Sequence, residues 1–168
     1  ATEVEKVEYT VLDDQNVKEI IANADDQIEF YLAMLGANYH LAPFVGFALK
    51  INDQIYVSRD VELLQETNLR HLLEDEQIKK NVFDLKRTMV GLHRLGIHVH
   101  GQDYDMLLAS YLINNENNSN DLGEIAHLYG DYSVKTDIEI YGKGKSEHVP
   151  DDDEELFNHL ASKVNAIE

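Results

Sequence analysis

The chain has 168 residues, 43% of them apolar, with 32 acidic against 14 basic side chains, a formal net charge of −18 and no cysteine. That length and apolar share fit one domain with its own core and exclude a disordered chain, while the missing cysteines exclude disulfides and thiolate metal sites. A surface this acidic repels a polyanion, so the domain alone should bind nucleic acid poorly, and solubility is the first account of its charge.

No apolar run is long enough to span a bilayer and no signal-peptide pattern begins at Ala1. The expectation is a single domain over residues 1–168, cytoplasmic, monomeric and without membrane contact. Ala1 to Lys6 is left as a tail or linker.

Val7 to Leu12 alternates as a strand does, and Asp13-Asp14 ends it. Asn16 is placed to cap a helix running to about Ala24, with Val17, Ile20 and Ile21 at helical spacing. Ile28 to Leu35 is the central strand. Period-2 geometry puts Ile28, Phe30, Leu32 and Met34 on one face and Glu29, Tyr31, Ala33 and Leu35 on the other. Pro43 to Ile51 and Gln54 to Ser58 are two more strands, joined by a tight turn at Asn52-Asp53, and the three form an antiparallel meander.

Val61 to Glu74 reads as one or two short helices broken near Thr67-Asn68. Lys80 to Phe83 is a short strand, Asp84 to Leu95 a helix stopped by Gly96, and Ile97 to His100 another short strand. Tyr104 to Ile113 is apolar nearly all round and reads as a buried helix. An asparagine-rich loop at Asn114 to Asn120 precedes an amphipathic helix at Asp121 to Tyr129. Gly130 to Val149 is irregular, with a turn near Ile138-Tyr141. Pro150 and the acids Asp151 to Glu155 open a last helix whose apolar face is Leu156, Leu160, Val164 and Ile167. Strands first, then helices alternating with strands, is a mixed α/β pattern.

Lone motifs carry little. His98 and His100, with Asp103 and Asp105 nearby, have metal-ligand types, but no further ligand is fixed by spacing. Gly142-Lys143-Gly144-Lys145-Ser146 has Glu139 where a phosphate loop needs its leading glycine, and reads as a basic turn. No Gly-x-Ser-x-Gly elbow is present, and the acids of Asp151 to Glu155 lack calcium-loop spacing.

An ordered set of segments carries more. Asn38-Tyr39-His40-x-Ala42-Pro43-x-Val45-Gly46 is followed by Phe83-Asp84-x-Lys86-Arg87 and Gly96-Ile97. Asp105-x-Leu107-Leu108-Ala109-x-Tyr111-Leu112, Tyr141-Gly142-Lys143-Gly144 and Val149-Pro150-Asp151 complete it. In that order they resemble the 3′–5′ exonuclease domain of bacterial DNA polymerase I, from about Asp26 to the C-terminus, and in particular its inactive, vestigial branch. The resemblance implies a ribonuclease H-like fold: a mixed sheet, its first three strands antiparallel, flanked by helices. It also implies a parent chain that is a DNA-directed DNA polymerase, a nucleotidyltransferase of DNA replication and repair, whose polymerase domain lies outside this chain.

Active members of that family hold two divalent metal ions, about 3.5–4 Å apart, on four acids. Those acids come as Asp-x-Glu on the first core strand, Asp on a later helix and Asp in Tyr-x-x-x-Asp on the last helix. Carried over by the flanking motifs, these positions are Tyr31 and Ala33, Thr88, and His159 with Lys163. The resemblance therefore implies no catalytic acids, no metal cofactor, and a domain that meets DNA only through its parent. A shift of register leaves Glu29, Asp84 and Asp105 as fallback ligands for a residual metal-dependent exonuclease on single-stranded DNA. A non-cleaving module that holds a nucleotide or a DNA 3′ end through Lys143, Lys145 and Lys163 is the remaining alternative.

Overall fold

The computed structural model describes residues 8–35, 40–100, 102–105, 140–141, 149 and 152–167. Its strands form one mixed sheet. Among the described residues six strands lie in the order β1-β4-β3-β2-β5-β6: β1 (Thr10–Val11), β2 (Gln27–Met34), β3 (Phe44–Ile51), β4 (Gln54–Ser58), β5 (Lys79–Val82) and β6 (Gln102–Asp105). β2, β3 and β4 are antiparallel neighbours, while β1 joins β4, and β5 and β6 join beyond β2, in parallel. The expected meander is present. Its tight turn holds Asn52 and Asp53 at φ 51° and 65°, the left-handed pair that matches the strand twist of a two-residue hairpin.

The two faces of β2 divide as its alternation requires. Ile28, Phe30, Leu32 and Met34 enter a core with Val17 of α1 (Val17–Ala22), Leu69, Leu72 and Leu73 of α2 (Thr67–Glu74), and Leu92 of α3 (Leu85–Arg94). Ala33, with Tyr31 and Leu35 at its margin, enters a second core with Leu156, Leu160, Ala161 and Val164 of α4 (Asp153–Ala166). The sheet is thus sandwiched, with α1–α3 on one face and α4 on the other. Leu156, Leu160, Val164 and Ile167, the apolar face read from the sequence, are all at 0% exposure.

Several local expectations are corrected. Asn16 does not cap α1 through its side chain; its Oδ1 accepts from Asp13 N–H and its Nδ2 donates to the Val11 carbonyl. A closed Asx loop between Asp13 and Asn16 takes the place of the cap. The expected break near Thr67-Asn68 is present, at Glu66, whose carboxylate accepts from the N–H groups of Asn68 and Leu69 and caps α2. Ile97 to His100 is not a strand. Ile97 N–H donates to Leu92 O, and Gly96, at φ 77°, donates to His93 O, so α3 ends in a Schellman motif. His98 N–H then goes to the Glu74 carboxylate and His100 N–H to Leu73 O. With those donors spent on helix ends, pairing with β5 waits until Gln102. The expected helix does not start at Tyr104, since Tyr104 and Asp105 lie on β6.

Residues 106–113 of that helix, the loop at 114–120, the helix at 121–129 and the basic turn at 142–146 lie outside the described residues, as does the tail at 1–6. No helix among the described residues is long and apolar enough to cross a membrane.

Candidate functional site

The face of β2 under α4 is where the resemblance puts chemistry, and backbone spacing decides how close α4 can come. Ala33 pairs with Gly46 of β3, so two of the smallest residues lie side by side. A Cβ on Gly46 would stand 3.1 Å from Leu160 Cδ1 and 2.5 Å from the Ser58 carbonyl oxygen. Leu160 therefore sits directly on the sheet over this pair, and the floor of the face is closed by hydrocarbon. Ala33 is buried, Tyr31 half-buried at the margin of the same core, and Lys163 fully buried at 0% exposure. His159 is buried with its ring edge-on to Tyr141, centroids 5.3 Å apart at 89°. Ser162 Oγ donates to the His159 carbonyl, as helical serines often do.

Thr88 lies on α3. It is buried, and its hydroxyl donates back to the Asp84 carbonyl at 3.0 Å. Asp84 precedes α3 in the left-handed region, φ 60°, and its carboxylate accepts from Arg87 N–H as the N-cap of that helix. Such a φ on a non-glycine residue is tolerated best by Asp and Asn, whose side chains bond locally.

Glu29 sits one pleat before Tyr31. It pairs with Lys50 on one side and Asn81 on the other. Burial pushes its carboxyl above the usual range, while Lys50 and a hydrogen bond from Asn81 pull it back. Asn81 Oδ1 is buried without a hydrogen-bond partner. Asp105 ends β6 opposite Val82, and its side chain lies outside the described residues.

Tyr31 and Ala33 of β2 thus meet the core packed under α4, which carries His159 and Lys163. Thr88 and Asp84 are bound into the start of α3, and Glu29 into a Lys50–Asn81 group on the sheet. Among the described residues no three His, Asp or Glu side chains gather to hold a metal ion. The donor set at the carried-over positions is a phenol, a methyl, a hydroxyl already bonded to a carbonyl, an imidazole and an ammonium. A hard divalent cation needs anionic oxygens to repay its dehydration, and this set supplies none.

His98 and His100 do not share a strand face. They line a second feature with His40 and His93: an open cavity of about 420 Å³ floored by Val90, Ile97 and Val99. The rings of His93 and His98 stand 5.1 Å apart. Sequence reading missed this feature, because its histidines are brought together by the Schellman turn after α3 rather than by strand period. Glu74 holds that turn: it accepts from His98 N–H and from Arg70 Nε, and Arg70 also donates to Gly96 O. The His98 N–H bond, then Arg70, keep the Glu74 carboxyl below its ordinary range. A lowered carboxylate stabilises the fold above its unfolded pKa and loses that effect as pH falls through its folded one. Glu74→Gln should therefore lower the urea midpoint at pH 7, and the gap to the parent chain should close toward pH 3. A gap of constant size would show that the carboxylate charge plays no part.

The family model for the DNA polymerase I, ribonuclease H-like domain matches residues 30–168. The chain belongs to that family. It is 35% identical to DNA polymerase I of Bacillus subtilis over 163 residues, covering 94% of this chain and 18% of that protein. DNA polymerase I of Lactococcus lactis subsp. lactis is likewise 35% identical, over 98% of this chain and 17% of its own length. The chain thus spans under a fifth of the relatives it matches. Among solved structures, the fold is similar to Trypanosoma brucei RNase D in complex with RNA U12, at TM-score 0.67 and 15% identity over 95% of this chain and 59% of that one. It is also similar to a Mycobacterium smegmatis Pol1 POL-domain structure with DNA primer-template and dNTP, at TM-score 0.62 and 16% identity over 93% of this chain and 26% of that one. These likenesses establish the ribonuclease H-like exonuclease fold of a polymerase I domain.

Proposed function

We propose that this chain is a catalytically inactive, vestigial 3′–5′ exonuclease domain of a DNA polymerase I, kept as a structural platform for the polymerase domain in DNA replication and repair. One observation carries the reading: where the family's motifs place metal-binding acids, this chain has Tyr31, Ala33, Thr88 and Lys163, with His159 in place of the motif tyrosine. Support comes from the packing. Ala33 and Lys163 are buried, and Leu160 closes the sheet surface where a metal pair would need open, anionic space. An ammonium at position 163 would repel a divalent cation rather than hold it. The fallback acids Glu29 and Asp84 are engaged separately, one with Lys50 and Asn81, the other as a helix cap.

Manganese titration followed by calorimetry, with digestion of labelled single-stranded DNA alongside, tests this directly. The expected result is no saturable heat and no cleavage. Saturable binding with cleavage lost in Asp84→Ala or Glu29→Ala would mean that a rebuilt site works from the fallback acids. DNA binding without cleavage, falling steeply with salt, would favour a 3′-end binding module instead.

A further inference from the structure

We infer that the face formed by Leu41, α3 and the histidine-lined cavity is the surface on which the polymerase domain of the same parent chain seats. The inference rests on the platform reading above and names its contact. Two apolar side chains stand out of the folded domain here, Leu41 at 77% exposure and Met89 at 41%. Single exposed apolar residues are ordinary. These two are not scattered: His40, the chain neighbour of Leu41, and Met89 line the same cavity, whose floor is Val90, Ile97 and Val99.

The Leu41 segment is also held in place. Arg94 donates to the Ala42 carbonyl at 2.8 Å and lies over the Phe44 ring at 4.4 Å. Arg87 donates to Met34 O, and Leu35 N–H closes onto Pro43 O. Ala42, the residue after Leu41, is thereby anchored to α3, and Leu41 stands outward beside it. The result is a projecting knob beside an apolar hole, the form of one half of an interface core.

The occupant follows from length and charge. The relatives extend far beyond the part this chain matches, which is 18% of the Bacillus subtilis protein, so a large covalently joined body is the nearest source of a complementary surface. Among the described helices α3 alone has no acid, carrying Lys86, Arg87 and Arg94 in a chain of net charge −18. Nucleic acid is the competing occupant for a basic helix. Two of those three cations are held at fixed positions by Met34 O and Ala42 O rather than free to track a phosphate backbone, and a net charge of −18 repels a polyanion. A protein surface with an apolar centre and acidic groups at its rim fits better.

The test compares this domain alone with the polymerase I chain that carries it, by hydroxyl-radical footprinting. Leu41 and Met89 should be oxidised at least about five-fold more slowly in the full chain, as burial in an interface core requires. Val11, exposed at the far sheet edge, should react equally in both. Leu41→Asp with Met89→Asp should leave the melting temperature of the isolated domain unchanged and lower the temperature at which this domain unfolds within the full chain. Equal oxidation of Leu41 and Met89 in the two forms would overturn the assignment. So would protection that appears only when primer–template DNA is added, which would make this a nucleic-acid face. Either result leaves the manganese and cleavage outcomes, and so the inactive reading, untouched.

Discussion

Gly46→Ala should destabilise the domain by about 3 kcal/mol, because the added methyl meets backbone that cannot step aside. Its Cβ would lie 2.5 Å from the Ser58 carbonyl oxygen and 3.3 Å from Arg59 Cα, as well as 3.1 Å from Leu160 Cδ1. The side-chain contact can relax by rotation of a flexible leucine. The carbonyl contact can relax only by moving the end of β4, which is paired to β3 through Phe47 and Ser58. Leu160→Ala on its own should cost about 2–5 kcal/mol as a fully buried leucine. If the strand backbone is the obstacle, the double variant should lose nearly the sum of the two. Rescue of Gly46→Ala by Leu160→Ala, read from urea unfolding midpoints, would show instead that α4 is what the methyl strikes. The outcome matters for the proposed function, since close seating of α4 closes the floor of the sheet face that carries Tyr31 and Ala33.

Lys80→Met should stabilise the domain at pH 7 by up to about 3 kcal/mol, and the gain should vanish in strong alkali. Lys80 is fully buried on β5, opposite Ile28, and its Nζ donates to the Asp75 carbonyl. Burial pulls its pKa from 10.5 down to about 8, with the Asp75 carboxylate offsetting part of the effect. The sign follows from proton counting. Between about 8 and 10.5 the unfolded chain binds more protons at this site than the native one. Stability therefore rises with pH across that window, and below it the full cost of a buried ammonium is present. Thermal melts of the two proteins should diverge most at pH 7 and converge by pH 10.5. A Lys80→Met protein less stable than its parent at pH 7 would show that the bond to Asp75 O outweighs the desolvation it relieves.

Much of the fold can be read from residue order because local chemistry there agrees with the tertiary outcome. β2 alternates: its even residues did enter one core, and on the opposite face Ala33 entered the other with Tyr31 at its margin. Asn52-Asp53 accepts the left-handed backbone that a two-residue hairpin needs. Gly96 stops α3 at a positive φ, and the apolar stripe of α4 is the stripe it buries. The same directness applies to the candidate site. That Tyr31, Ala33, Thr88 and Lys163 carry no carboxylate is a property of the sequence alone.

Tertiary structure decided what depends on partners distant in the chain. Ile97 to His100 has the composition of a strand, yet its N–H groups go to Leu92, Glu74 and Leu73, and β6 forms further on. Asn16 has the right residue type for a cap but bonds Asp13 and Val11. Lys80 reads as an ordinary strand cation, and only assembly of the sheet removes it from water. The histidine cavity exists because the turn after α3 brings His98 back to His93, and Leu41 lies beside it next to Ala42, which Arg94 of α3 holds. Spacing along the chain sets which face a side chain occupies; which groups meet across that face is set by packing, and packing is not local.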